Sequence, residues 1–191
     1  MSQPTLEGGF ADAPRDAAHA FRACMSAMAR PGRVETLHGA APSAPLSPAA
    51  GALLLTLCDA DTPVHLAGAH DCDAVRGWLA FHTGAPLTDD RAGAAFAVGT
   101  WAALLPLADY PLGSARYPDR SATLVVEAGT LDTATGARLT GPGIDGHARL
   151  ALPDACALAA NHALYPRGLD FYFTAGDRIA AVSRATNVED T

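Results

Sequence analysis

The strongest constraint on the fold of this chain is its alternation of hydrophobic periods. Stretches with apolar residues three or four apart repeatedly give way to short apolar or β-branched runs bounded by Gly, Pro or Asp. Residues 12–30 carry Ala17, Phe21, Cys24, Met25 and Met28 at helical spacing, with Asp12 placed to cap, Pro14 in the first turn and Gly32 as the stop. A short strand at 33–37 follows, then the proline-rich connection HGAAPSAPLSP, which ends in a second helix start with Ser47 as cap and Pro48 at the first position. That helix, 49–58, is apolar on every side, the pattern of a helix buried against a sheet or another subunit. Strand 62–67, helix 72–82, strand 94–98, short helix 101–107, strand 122–127, helix 154–164, and strands 170–174 and 179–182 across the turn AGDR complete the series. The order specifies an α/β protein of three layers, α/β/α, around a mixed, largely parallel sheet that ends in an antiparallel hairpin. With 191 residues, 49% of them apolar and 17% charged, the chain reads as one domain around a single substantial core. Residues 1–9 and 187–191 read as flexible ends.

Composition excludes several chemistries. All 13 basic residues are arginine. Abundant alanine and absent lysine together fit a G+C-rich coding sequence, but the chemical consequence holds whatever the cause. A pyridoxal phosphate enzyme needs a lysine for its Schiff base, a Walker A loop needs GK[ST], and a lysine-based aldolase needs the same amine. No cofactor is therefore expected. A net charge of −7 argues against a nonspecific grip on nucleic acid, while leaving room for a local arginine pocket. The first residues, MSQPTLEGGFADAPRD, have neither the basic region nor the apolar run of a signal peptide, and no later stretch has the length of a membrane span. A cytoplasmic location is expected. Cys24, Cys58, Cys72 and Cys156 form no C-x-x-C pair and read as reduced, mostly buried thiols. His70 and Cys72 in AHDCDAV come nearest to a metal-ligand cluster, yet an acidic helix start accounts for Asp71 and Asp73 without an ion, so no metal is expected.

The segment most suited to binding is 110–146. Arg116, Tyr117, Asp119, Arg120 and Ser121 crowd around Pro118 just before the strand at 122–127, and Thr140, Gly141 and Gly143 lie in LTGPGIDG after a short return. Two guanidinium groups and several free backbone N–H groups suit a phosphate or carboxylate. Ligands in such sheets lie at the carboxyl ends of strands, where LTGPGIDG is expected to gather. A Gly-Pro-Gly turn also forms with no ligand at all. Arg30 and Arg33 flank a Pro-Gly turn. His82 ends an apolar helix, where it can interact with the helix carboxyl terminus or hold a neighbouring loop. Asn161, His162 and Arg167 end another helix, and adjacent Asn161 and His162 cannot both face the core. Ser121 beside Asp119 suggests a hydrolase only superficially, since there is no G-x-S-x-G elbow.

Seven segments in order, GFADAPRDAAHAFRACMSAMARPG, LLLTLCDADTPVHLA, WLAFHTGAP, PLGSARYPDRSATLVV, LTGPGI, NHALYPRGLDFYF and RIAAVSRAT, resemble the PhnH family of the bacterial carbon-phosphorus lyase system from Gly9 to about Glu189. Tyr110 and Tyr165 stand where phenylalanine is common, and SRAT replaces a PRTT-like run. The resemblance implies a fold similar to the large domain of pyridoxal phosphate transferases, without the cofactor. It also implies a homodimer when isolated, and a role in phosphonate catabolism within a core assembly of PhnG, PhnI and PhnJ subunits. That assembly displaces adenine from ATP with a phosphonate to give a ribose 1-phosphonate 5-triphosphate, with PhnI as the catalytic subunit, before an iron-sulfur radical step on PhnJ. The resemblance brings no catalytic residues. Arg116 and Arg120, with Ser121, Gly141 and Gly143 as donors, can hold a phosphonate or nucleotide anion, or can form a polar network at a subunit interface. The alternative is an autonomous small-molecule binding protein or enzyme.

Overall fold

The computed structural model describes residues 7–190. Its elements run α1 (Ala13–Ala29), β1 (Glu35–Thr36), α2 (Pro48–Leu57), β2 (Val64–Leu66), α3 (Asp73–Thr83), β3 (Phe96–Gly99), α4 (Trp101–Leu104), β4 (Thr123–Glu127), β5 (Ala137–Thr140), β6 (Ala148–Leu150), α5 (Ala155–His162), β7 (Asp170–Ala175), β8 (Arg178–Val182) and β9 (Asn187–Glu189). Among the described residues a six-stranded sheet has the order β1-β8-β7-β4-β3-β2. In it β2, β3, β4 and β7 are mutually parallel, while β8 runs against both β7 and β1. The three-layer α/β reading and the final hairpin hold.

Alternate strand residues feed two cores. Val125, Tyr172 and Ala181 face the side covered by α1, α2 and α3, with Trp78 fully buried among them. Leu124, Val126, Phe171, Phe173, Ala180 and Val182 face the other side, under α4, α5 and a second sheet. That second sheet, β6-β5-β9, is antiparallel and was not legible in the sequence. It makes one outer layer part helix and part strand.

Local chemistry explains the helix limits. Ser47 caps α2 by accepting a hydrogen bond from Ala50 N–H at 3.2 Å, and residues 49–54 of the uniformly apolar α2 are all buried. Asp12 differs from expectation: its side chain caps nothing, and its N–H instead donates to Asp16 Oδ2 at 3.0 Å. The short helix stops at Leu104 rather than 107, because Pro106 has no N–H to continue it and disfavours helical backbone at Leu105.

Contacts also reach the ends of the chain. Of the residues read as flexible ends, Glu7, Gly8 and 187–189 make contacts with the rest of the fold, and 1–6 and 191 lie outside the described residues. Glu7 O accepts from Trp78 Nε1 at 3.0 Å, and Gly8 O accepts from Ala41 N–H at 2.9 Å. Val188, 3% exposed, sits opposite Leu139 in the β5–β9 pair, so apolar burial and a strand ladder hold the carboxyl end.

Candidate functional site

The arginine segment folds as a short return closed by its own backbone. Leu112 and Ser121 form an antiparallel bridge, Ser114 N–H donates to Tyr117 O at 3.1 Å, and Tyr117 N–H donates to Ser114 Oγ at 3.0 Å. A 3-10 turn, Pro118–Arg120, then brings Arg120 over the ring that neighbouring Arg116 also meets: Arg116 and Arg120 lie 5.3 and 4.3 Å from the centroid of Tyr117, which is 39% exposed. Each such contact contributes about 0.5–1 kcal/mol at a solvated surface. Neither arginine pairs with a carboxylate among the described residues, and Asp119 pairs with no cation. The result is a platform of two guanidinium groups and an aromatic face, able to meet an anion or an acidic protein surface.

Arg184 fastens this platform to the sheet. Its backbone N–H donates to Asp170 Oδ1 at 2.9 Å, its guanidinium pairs with the same carboxylate, and its remaining arm donates to Pro118 O. Sequence reading missed Arg184, and it had no signal to find: the partners lie 14 and 66 residues away. Arg167 is exposed close by in sequence, next to Gly168, whose N–H donates to Leu112 O at 2.9 Å. Among the described residues, Ser121 Oγ is buried without a hydrogen-bond partner, as is Tyr110 Oη. The Tyr110 phenol is raised above its ordinary value by burial, with Arg91, 5.4 Å from its ring centroid, opposing the shift.

The remaining residues singled out in the sequence do not join this cluster. The loop LTGPGIDG does not gather at the carboxyl ends of the strands. Gly141 packs near Ala185 O, beyond the reversed strand β8, and Gly143 packs on Ala29 O at the end of α1, both on the side where the parallel strands begin. The platform lies on that side too, since it leads directly into the start of β4. A Cβ on Gly143 would sit 1.8 Å from Ala29 O, so glycine is required there for close approach. Thr140 Oγ1 accepts from Asn187 Nδ2 at 3.2 Å, and Arg30 follows the same end of α1. His82 stands elsewhere, holding the incoming chain through a 3.2 Å contact from Nε2 to Glu7 O, with its ring tilted against that of Trp78. Of the adjacent pair, Asn161 faces inward, its amide donating to Leu169 O and accepting from Leu169 N–H, and His162 meets Arg184 O at 3.0 Å.

The carboxyl ends of the strands hold a different group, missed in the sequence. Glu127 ends β4 and accepts from Ser47 N–H at 2.7 Å and from Thr174 Oγ1 at 2.9 Å, just ahead of the amino terminus of α2. His70 lies 4.0 Å from the same carboxylate with its side chain 5% exposed, and neither ring nitrogen has a hydrogen bond among the described residues. A lone acidic residue closing the apolar run TLVV was the available signal. A third feature is an apolar groove of about 530 Å³ between Leu105–Ala108 and α5. Its one side-chain amide, Asn161, is engaged with the backbone of Leu169 and its lining carries no charged side chain, so the groove has little with which to orient a charged substrate.

Comparisons with known proteins agree with the family resemblance. Residues 8–189 match the sequence model of the family described as bacterial phosphonate metabolism protein (PhnH). The chain is 43% identical over 189 residues to the alpha-D-ribose 1-methylphosphonate 5-triphosphate synthase subunit PhnH of Rhizobium meliloti (strain 1021), covering 95% of this chain and 94% of that protein. A match of that extent spans every helix and strand from α1 to β9, and the chain belongs to the PhnH family of bacterial phosphonate metabolism proteins.

Proposed function

We propose that this protein is the PhnH subunit of an alpha-D-ribose 1-methylphosphonate 5-triphosphate synthase, acting in phosphonate catabolism. It supports transfer of the ribose triphosphate of ATP to a phosphonate with release of adenine. It works in the cytoplasm beside PhnG, PhnI and PhnJ, is a homodimer when alone, needs no cofactor, and contributes structure or binding rather than the catalytic groups. The observation that carries this reading is the near full-length relation to a protein named as that subunit. Among the described residues no helix is long and apolar enough to cross a membrane.

Light scattering after size-exclusion chromatography tests the assembly, with the chain purified alone and co-expressed with its cognate PhnG, PhnI and PhnJ. One defined co-eluting complex supports a subunit. A chain that stays apart, yet binds ATP or a phosphonate by itself, favours an autonomous binding protein or enzyme.

That second reading has one observation in its favour, the Arg116–Tyr117–Arg120 platform without counter-charges. If the platform holds the anion, a folded double variant Arg116→Ala with Arg120→Ala loses roughly tenfold or more in affinity for ATP or phosphonate, as loss of charge-assisted hydrogen bonds requires. Unchanged affinity assigns these arginines to a protein interface instead.

A further inference from the structure

Helix α1 is anchored on one face and bare on its flank. Ala20, Cys24 and Ala27 are buried against the sheet, and Tyr172 Oη donates to Cys24 O at 3.2 Å, fixing the middle of the helix. The adjoining flank, about a third of a turn round the helix from that row, exposes Phe21 at 47% and Met25 at 53%, large apolar side chains one turn apart. Ala18, Phe21, Met25 and the half-buried Met28 follow one another at spacings of three, four and three, the a/d spacing of a coiled-coil seam. A shallow trough of about 340 Å³ runs beside them, from Phe21 and Arg22 to Ala29 and Arg30.

One flank of this seam carries charge of one sign. Arg15 and Arg22 stand seven residues apart, at the same heptad position on its solvent side, and Arg30 follows at the helix end. Among the described residues none of the three meets a carboxylate, in a chain whose net charge is −7. Some arginines elsewhere are paired, Arg33 with Glu35, Arg76 with Asp71 and Asp89, Arg91 with Asp109, Arg138 with Glu189 and Arg184 with Asp170, whereas Arg116 and Arg120 share the lack of a counter-charge with those of α1.

Resting on the subunit reading above, we infer that the outer face of α1 docks a helix of another synthase subunit, one with an apolar heptad seam edged by a row of Asp or Glu. A second copy of this chain does not fit. Antiparallel pairing of two α1 helices sets the arginine flank of one against that of the other. Parallel pairing sets Arg15 and Arg22 against the positions of Ala17 and Cys24, which carry no charge, and Cys24 is only 1% exposed. A partner helix with carboxylates at the facing positions satisfies the arginines and covers Phe21 and Met25 together.

The test measures binding of the full chain to an immobilised assembly of cognate PhnG, PhnI and PhnJ at low and high salt. Phe21→Asp with Met25→Asp is expected to weaken binding by about 30-fold or more, as removal of central anchors does. Arg15→Glu with Arg22→Glu, surface changes that leave the core untouched, is expected to weaken binding by about tenfold and to abolish the loss of affinity that salt causes in the unaltered chain. Phe81→Asp, on the exposed face of α3, serves as control and should change nothing. Retained binding in both α1 variants, or loss in Phe81→Asp alone, overturns the inference while leaving the subunit reading intact. A change in the mass of the isolated chain on α1 substitution also overturns it, in favour of a second copy. An unaltered chain that does not bind the assembly overturns both readings.

Discussion

At the scale of single residues, burial decides chemistry. Cys24 and Cys58 are buried free thiols, and desolvation pushes each up from 9.0 to about 12. Above pH 9 the unfolded chain releases these protons while the folded one keeps them, so the unfolded state binds fewer protons. Stability from these groups is therefore full below about pH 9 and is lost as pH rises toward about 12. Each thiol contributes a fall of up to about 1.4 kcal/mol per pH unit over that window. Urea titrations from pH 8 to 11 should show the fall, and Cys24→Ala with Cys58→Ala should flatten it. Exposed Cys156 should meanwhile be the first thiol to react with a disulfide reagent in the native protein. Two glycines make a separate comparison. Gly143, at φ +80°, and Gly146, at φ +70°, share the left-handed backbone, but a Cβ on Gly146 meets nothing within 4 Å. Gly146→Ala should thus cost about 1 kcal/mol from backbone strain alone, and Gly143→Ala about 3 kcal/mol or more, because the loop must leave Ala29 O. Equal costs in thermal unfolding would mean that the loop 141–146 moves freely on α1.

Elements show where sequence reading succeeds and where it fails. Helix α2 was legible because its cap, its proline and its uniform apolarity all agree on one answer, and β4 because TLVV is a continuous apolar run. The small sheet was not, since ARLT, ARL and NVE are too short for period-two alternation to stand out, and β9 pairs with β5 across some fifty residues. The candidate site was legible in part. The local chemistry of RYPDR placed Arg116, Tyr117 and Arg120 together, whereas the end of the sheet on which LTGPGIDG falls depends on the reversal of β8 and the docking of α1. Long-range clamps such as Arg184 cannot be read from spacing. Their removal has a calculable effect: Arg184→Ala leaves the partly buried Asp170 carboxylate unpaired and frees the carbonyl of Pro118, at a cost of about 2–3 kcal/mol. If the two side chains act as a pair, Asp170→Ala in the Arg184→Ala background should cost less than it does alone, by about 1 kcal/mol or more in a double-mutant cycle on urea midpoints. Additive costs would mean that the clamp is decorative.

Over the whole molecule, one sheet is shared by two cores, and that sharing sets how the protein can come apart. Within β4, Val125 faces one core and Leu124 and Val126 the other; Tyr172 and Phe171 with Phe173 divide β7 in the same way. Disordering either layer therefore strips one face of strands whose other face still needs them, and neither core can be lost while the other keeps its native packing. The two tryptophans of the chain report on the two sides separately. Trp78 on α3 is fully buried in the first core, and Trp101 on α4 packs against Phe171 in the second, with ring centroids 6.0 Å apart. Variants Trp78→Phe and Trp101→Phe each leave a single reporter. Their fluorescence-detected urea transitions should coincide, within each variant, with the transition seen by far-ultraviolet circular dichroism, as one cooperative unit requires. If Trp101 were to respond at clearly lower urea than the backbone signal, the layer of α4, α5 and the small sheet would be a separate folding unit. The arginine platform, clamped to that side through Arg184 and Asp170, would then be free to change shape without unfolding α1, and binding at the platform would be uncoupled from docking on the helix.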